Sequence, residues 1–190
     1  MRIVTDIDEQ LRRVPRDPRK VREALEESRE QLEYLRERVR QDATTLNTTR
    51  LGRHLQRHGR LLRFAGRRSE AVDCKTKAIE IWREYGRERA HFLCRLQRCA
   101  IRGEAGDVDQ ALDELVMLRK QLDERTGVYR DMLEETLGTC HYRCGDYARA
   151  LEALGRALQI RRQRGNQRHI EDTQRIIDVV VEANRNDCSE

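Results

Sequence analysis

Apolar residues recur at three- and four-residue steps along most of this chain, and glycine interrupts them at regular places. Leu51, Leu55, Leu62 and Ala65 fall on one face with Gly59, the spacing of an amphipathic helix. A polar turn follows, Gly66-Arg67-Arg68-Ser69-Glu70-Ala71, and it is written twice more as Gly106-Asp107-Val108-Asp109-Gln110-Ala111 and Gly145-Asp146-Tyr147-Ala148-Arg149-Ala150. The glycines lie forty and then thirty-nine residues apart, and each Gly-x₄-Ala opens another helical run. A period of this size predicts an array of helix hairpins.

The first and third copies align without a gap. Gly59, Gly66, Ala71, Ala78 and Ile81 map onto Gly138, Gly145, Ala150, Ala157 and Ile160, each seventy-nine positions on. Small residues at these places let two antiparallel helices approach closely, and the turn glycine suits the left-handed residue that ends a helix. Asp107 and Asp146 are placed to cap the second helix of their pairs, with Gln110 completing a capping box.

Outside the repeats, residues 6–14 read as a short helix punctuated by Pro15 and Pro18. Asp17-Pro18 starts a second helix, expected to reach about Asp42. Its seam is Val21, Leu25, Ser28, Leu32, Leu35 and Val39. The seam fits either the second helix of a degenerate leading repeat or a dimerising coiled coil. Fewer than three heptads favours packing within the chain. Residues 43–49 read as a linker, residues 167–184 as a capping helix without a following partner, and residues 186–190 as a frayed tail.

These residues resemble the tetratricopeptide repeat. Leu137-Gly138, Tyr147, Ala150 and Ala157-Leu158 carry the likeness best, and the first copy keeps Gly59, Gly66, Ala71 and Ala78. The middle copy departs, with Cys99 where glycine is expected and Leu118 where alanine is. The closing proline is absent from all copies, and a glycine follows each second helix instead, at Gly86, Gly127 and Gly165. That form is similar to the forty-residue subtype of kinesin light chain and many bacterial regulatory proteins. The resemblance implies an all-α right-handed α-α superhelix of about three helix hairpins with extra terminal helices. The expected division is an N-terminal segment 1–46, repeats at 47–86, 87–127 and 128–165, and a capping helix and tail at 166–190.

Composition fits an array better than a globule. Only 4% of the residues are aromatic and 38% are charged, which leaves little for one large core, whereas each repeat buries a single stripe against its neighbours. Lysine occurs only at 20, 75, 77 and 120, an arginine preference that reads as genomic base composition. No apolar leader or membrane span is apparent, and six cysteines without a secretory signal suggest thiols in a reducing cytoplasm.

Charge singles out one helix face. Arg50, Arg53, Arg57, Arg60, Phe64 and Arg67 recur at helical spacing away from the leucines. Residues 51–100 hold thirteen Arg and Lys against five Asp and Glu, while residues 101–150 hold seven against eleven. In the family the first helix of each pair lines the concave groove. By that resemblance Arg53, Gln56, Arg57, Arg60, Arg63 and Phe64 face it, as do Thr136, Thr139, Tyr142 and Arg143 in the third copy. An arginine ladder suits bidentate carboxylate pairing. Gln56 and Arg60 replace the Lys and Asn of the family's carboxylate clamp for chaperone tails, so that ligand is not expected.

Cys140-His141-x-x-Cys144 and Cys94-x₄-Cys99 invite a zinc reading, but they lack the paired knuckles of structural sites. Cys74, Cys99 and Cys144 read as small packing residues, and no metal or cofactor is assigned. His54, His58, His91, His141 and His169 form no catalytic pairing, and no phosphate loop or hydrolase motif is present. The expected role is a non-enzymatic adaptor holding an acidic peptide or helix of a partner protein, with apolar anchors near Phe64 and Tyr142. The alternatives are a nucleic-acid-binding repeat protein, or a structural subunit assembled through Ile176, Ile177, Val180 and Val181 of the last helix.

Overall fold

The computed structural model describes residues 3–187, most of them helical. The helices are α1 (Pro18–Gln41), α2 (Thr45–Phe64), α3 (Arg68–Glu84), α4 (Glu88–Ala105), α5 (Val108–Lys120), α6 (Arg130–Arg143), α7 (Tyr147–Arg164) and α8 (Gln167–Asp187). The expected frayed tail lies outside the described residues from position 188 on. Gly66, Gly106 and Gly145 fall in the α2–α3, α4–α5 and α6–α7 turns with φ of 77°, 102° and 74°. At each turn the residue after the glycine returns its N–H to a carbonyl five residues back: Arg67 to Leu62, Asp107 to Arg102 and Asp146 to His141. This bond satisfies an end-of-helix carbonyl and needs a left-handed residue, which glycine supplies without strain.

Several local expectations change. Residues 6–14 are not a helix but the body of a β-hairpin, β1 (Thr5–Ile7) paired with β2 (Arg13–Pro15). The linker shrinks because α2 begins at Thr45, where the Thr44 hydroxyl accepts from the Asn47 N–H at 3.3 Å. Asp146 caps α7 through the Arg149 N–H, but Asp107 makes no side-chain cap on α5. Gly127 does not close α5, which stops at Lys120. Gly127 opens a short 3₁₀ turn, Gly127–Tyr129, after Asp123 and Thr126 cross-bond.

The chain divides into two compact units, one running through residue 6 and over 14–101, the other comprising 7–13 and 102 onward. In the first, Asp17 caps α1 and Pro18 occupies its first turn. The α1 seam packs on α2 within the chain, with Val21, Ala24, Ser28, Leu32 and Leu35 buried. Leu55, Leu62, Ala71, Ala78, Trp82, Cys94 and Ile101 continue that core. In the second, α6 lies on α7 and α7 on α8. A Cβ on Gly138 would stand 3.1 Å from the Ala150 carbonyl oxygen, which is how closely α6 and α7 approach. Ala150, Leu154, Ile176 and Val180 form a core cluster, and Leu11 of the hairpin tip completes it.

Candidate functional site

The arginine face of α2 is where the sequence placed the partner, and its side chains divide by depth. Arg53, Arg57 and Arg60 are exposed, while Gln56, Arg63 and Phe64 are half-buried. No carboxylate pairs with Arg50, Arg53, Arg57 or Arg60 among the described residues. Arg53 stands at the rim of two open depressions. One, of about 340 Å³, is floored by Tyr34 and Leu35 of α1 and edged by Arg50, Arg53, His54 and Arg57. The other, of about 400 Å³, is lined by Thr49, Arg53, Gln56, Trp82, Arg87 and Ala90.

Beneath this face lies a cation that the sequence did not single out. Lys75 is 1% exposed and has no carboxylate partner among the described residues. Its ammonium donates to the Gln56 carbonyl at 2.7 Å and to Gln97 Oε1 at 2.6 Å. Burial pushes its pKa down to about 8, and the charges of Arg60 and Arg63 push the same way. The Gln56 amide is itself spent on Gln97 at 3.2 Å, so this expected groove residue organises the floor instead of projecting from it. Lys75 stands at helical spacing among Ala71, Ala78, Ile79 and Trp82, the buried stripe of α3, so that spacing was the signal in the sequence for its burial.

His54 and His58 both engage Ser28 of α1, and do so for packing. The geometry is satisfied when His54 Nε2–H donates to the Ser28 carbonyl at 2.7 Å and the Ser28 hydroxyl donates to His58 Nδ1 at 2.9 Å. This explains a serine in the α1 seam: it latches α1 to α2.

In the second unit the expected groove positions are already occupied. Thr136 is buried and turns its hydroxyl to the Met132 carbonyl, and Thr139 turns its own to Thr136. Tyr142 donates to the Glu9 carbonyl at 3.1 Å, and Arg143 to the carbonyls of Gln10 and Leu11 at 3.1 and 3.3 Å. These four residues therefore hold their own helix and the hairpin tip. The same correction applies to α8. Ile176 and Val180 are 3% and 0% exposed against α7 and Leu11, and Ile177 packs on the same cluster, leaving only Val181 half-covered outside it.

Three acids of this unit are engaged internally too. Glu134 meets Arg119 and Arg156, Asp131 meets Arg161 and Arg164, and Glu135 meets Arg161 and Arg13. The cysteines Cys94, Cys99 and Cys140 are fully buried, and burial pushes the thiols of Cys94 and Cys140 up to about 11. Cys144 is exposed, contrary to its reading as a packing residue, because it is the cap that follows α6 and not part of the helix face. Among the described residues no group of three or more His, Cys, Asp or Glu converges as metal ligands would. No helix among them is long and apolar enough to cross a membrane.

No protein-family model matches the chain, and the comparison with curated proteins finds no match. Among solved structures it is similar to a putative kinesin light chain of Podosopora anserina with nearly identical TPR-like repeats. The TM-score is 0.56 at 19% identity, over 90% of each chain. The fold is tetratricopeptide-like. Such a likeness carries the all-α, solenoid-like architecture to this chain and leaves its ligand to be argued from its own side chains.

Proposed function

We propose that this chain is a non-enzymatic protein-interaction adaptor of the tetratricopeptide type, in its roughly forty-residue form, and that it binds an acidic segment of a partner along α2. One observation carries the reading: among the described residues Arg50, Arg53, Arg57 and Arg60 have no carboxylate partner, the first three edge open depressions, and the buried Lys75 lacks a carboxylate as well. Arginines of the second unit, such as Arg156 and Arg161, are by contrast spent on internal acids. Guanidinium groups left without a counter-ion beside an apolar floor suit a segment with carboxylates and one apolar side chain.

The test is the double variant Arg57→Glu with Arg60→Glu. Exposed side chains of this kind contribute within about 0.5 kcal/mol to folding, so the melting temperature should stay nearly unchanged. Captured partners should be lost, with affinity falling by roughly 2–5 kcal/mol where the pairs are desolvated. Affinity purification and mass spectrometry with both forms reads this directly. Capture that survives the double substitution removes α2 from the site. Retention of mixed RNA by the unaltered form alone would replace the acidic segment by a phosphate backbone.

A further inference from the structure

The hairpin tip is bound as a ligand is bound. Two three-residue strands are too short to hold a hairpin alone in water. The tip is shaped by Asp8, whose carboxylate accepts from the N–H groups of Gln10 and Arg12 at 3.1 and 2.7 Å. Leu11 takes φ of 55°, a left-handed conformation unfavourable for a leucine, and in doing so lodges at 5% exposure among Ala150, Leu154, Ile176 and Val180. Two positions on, Arg13 reaches Asp172 at 3.1 Å and Glu135 at 3.3 Å. Asp172 has no other cationic partner among the described residues. Tyr142 and Arg143 then supply donors to three successive carbonyls of the tip. An apolar well, an acid pair and a row of donors at fixed spacing form a complete recognition site for a short peptide turn, and the turn's own strands contribute little.

We propose that this seat on α6, α7 and α8 is a second peptide-docking site, closed by the chain's own residues 8–13. The partner it fits is a turn presenting a leucine-like side chain and, two positions later, an arginine. The seat is built from residues of the second unit and the α2 face from the first, and its occupant is basic where the α2 ligand is acidic, so either reading can fail without the other. While the hairpin is seated, the apparent affinity for an outside segment is reduced by the fraction of molecules that are open.

The experiment titrates a fluorescein-labelled synthetic peptide of residues 3–16 into the full chain and into its Arg13→Ala variant, read by anisotropy. The variant should bind the peptide at least about tenfold more tightly than the unaltered chain, because its own tip competes less well. A peptide carrying Leu11→Ala and Arg13→Ala should bind neither. No binding by a variant whose circular dichroism and melting match the unaltered chain would make the hairpin a structural strap and overturn the proposal. Equal binding of both peptides would do the same. A dimer of the unaltered chain that free peptide dissolves would assign the seat to a second copy in place of a partner. Should Arg13→Ala fail to fold, hydrogen exchange on the unaltered chain decides. Amides of residues 5–15 exchanging well ahead of α6–α8 support a detachable tip, and exchange in step with those helices overturns it.

Discussion

At the scale of single residues, the glycines show how much of this fold is carried by close approach. Gly138 and Gly155 both lie inside helices. A Cβ on Gly138 would stand 2.6 Å from Leu154 Cγ and 3.1 Å from the Ala150 oxygen, whereas nothing lies within 4 Å of one on Gly155. Helix propensity favours alanine at both by about 0.5–1 kcal/mol. Only at Gly155 is that gain realised, so Gly155→Ala should raise stability by roughly that amount. At Gly138 overpacking wins, and Gly138→Ala should cost about 1–3 kcal/mol. Urea unfolding of the two variants checks the opposite signs. The repeat alignment already marked Gly138, through its match to Gly59, and did not mark Gly155. Residue-scale roles that depend on a distant partner were not legible. Tyr142 and Arg143 looked open to a partner because their acceptors lie more than a hundred residues away.

At the scale of elements, periodicity located the helices because each buries one stripe, and it failed where an element is held by something other than its own pattern. Residues 6–14 have Ile7, Leu11 and Val14 at helical steps, yet docking of Leu11 and Arg13 imposes a hairpin. The same docking accounts for the apolar surplus of α8, whose Val180 belongs to the cluster with Leu11 and whose Val179 packs against that cluster. The pairing of α1 with α2 depends on a polar latch, and pH should reach it. Burial disfavours the imidazolium of His58, and His54, Arg36 and Arg67 disfavour it further, with Glu70 opposing. The folded pKa thus lies below the ordinary 6.5, and the unfolded chain binds more protons as pH falls. The contribution of His58 is therefore fully present above about pH 6.5 and is lost as pH drops through the folded value. Protonation also turns Nδ1 from an acceptor of the Ser28 hydroxyl into a donor. Amide exchange in α1 should speed up between about pH 7.5 and 5, more than its intrinsic pH dependence allows. His58→Gln should flatten that response. A pH response of α1 that is the same in both proteins would detach it from the latch. His141, also lowered by burial, belongs to the other unit and should leave α1 unaffected.

At the scale of the whole molecule, the formal charge of +5 conceals two different economies of ions. The sequence showed a basic stretch followed by an acidic one, and that division is real, but it says nothing of which charges are already matched. The acids Asp131, Glu134 and Glu135 are matched inside the second unit by Arg161, Arg164, Arg119, Arg156 and Arg13. Arg50, Arg53, Arg57 and Arg60 are not matched at all among the described residues. Screening separates the two groups. Added salt weakens interactions between exposed charges, over a Debye length of about 10 Å at 0.1 M, and affects buried pairs much less. Raising sodium chloride from about 0.05 to 0.5 M should therefore leave the melting temperature nearly level while weakening capture of an acidic partner, chiefly through a slower association rate. The Arg57→Glu and Arg60→Glu variant should lose that salt dependence together with the binding. Surface plasmon resonance at several ionic strengths gives both rate constants. A dissociation rate that rises with salt while association stays constant would place the decisive contacts in a desolvated interior, and would move the site from the rim arginines of α2 towards Lys75 and the depression beside Trp82.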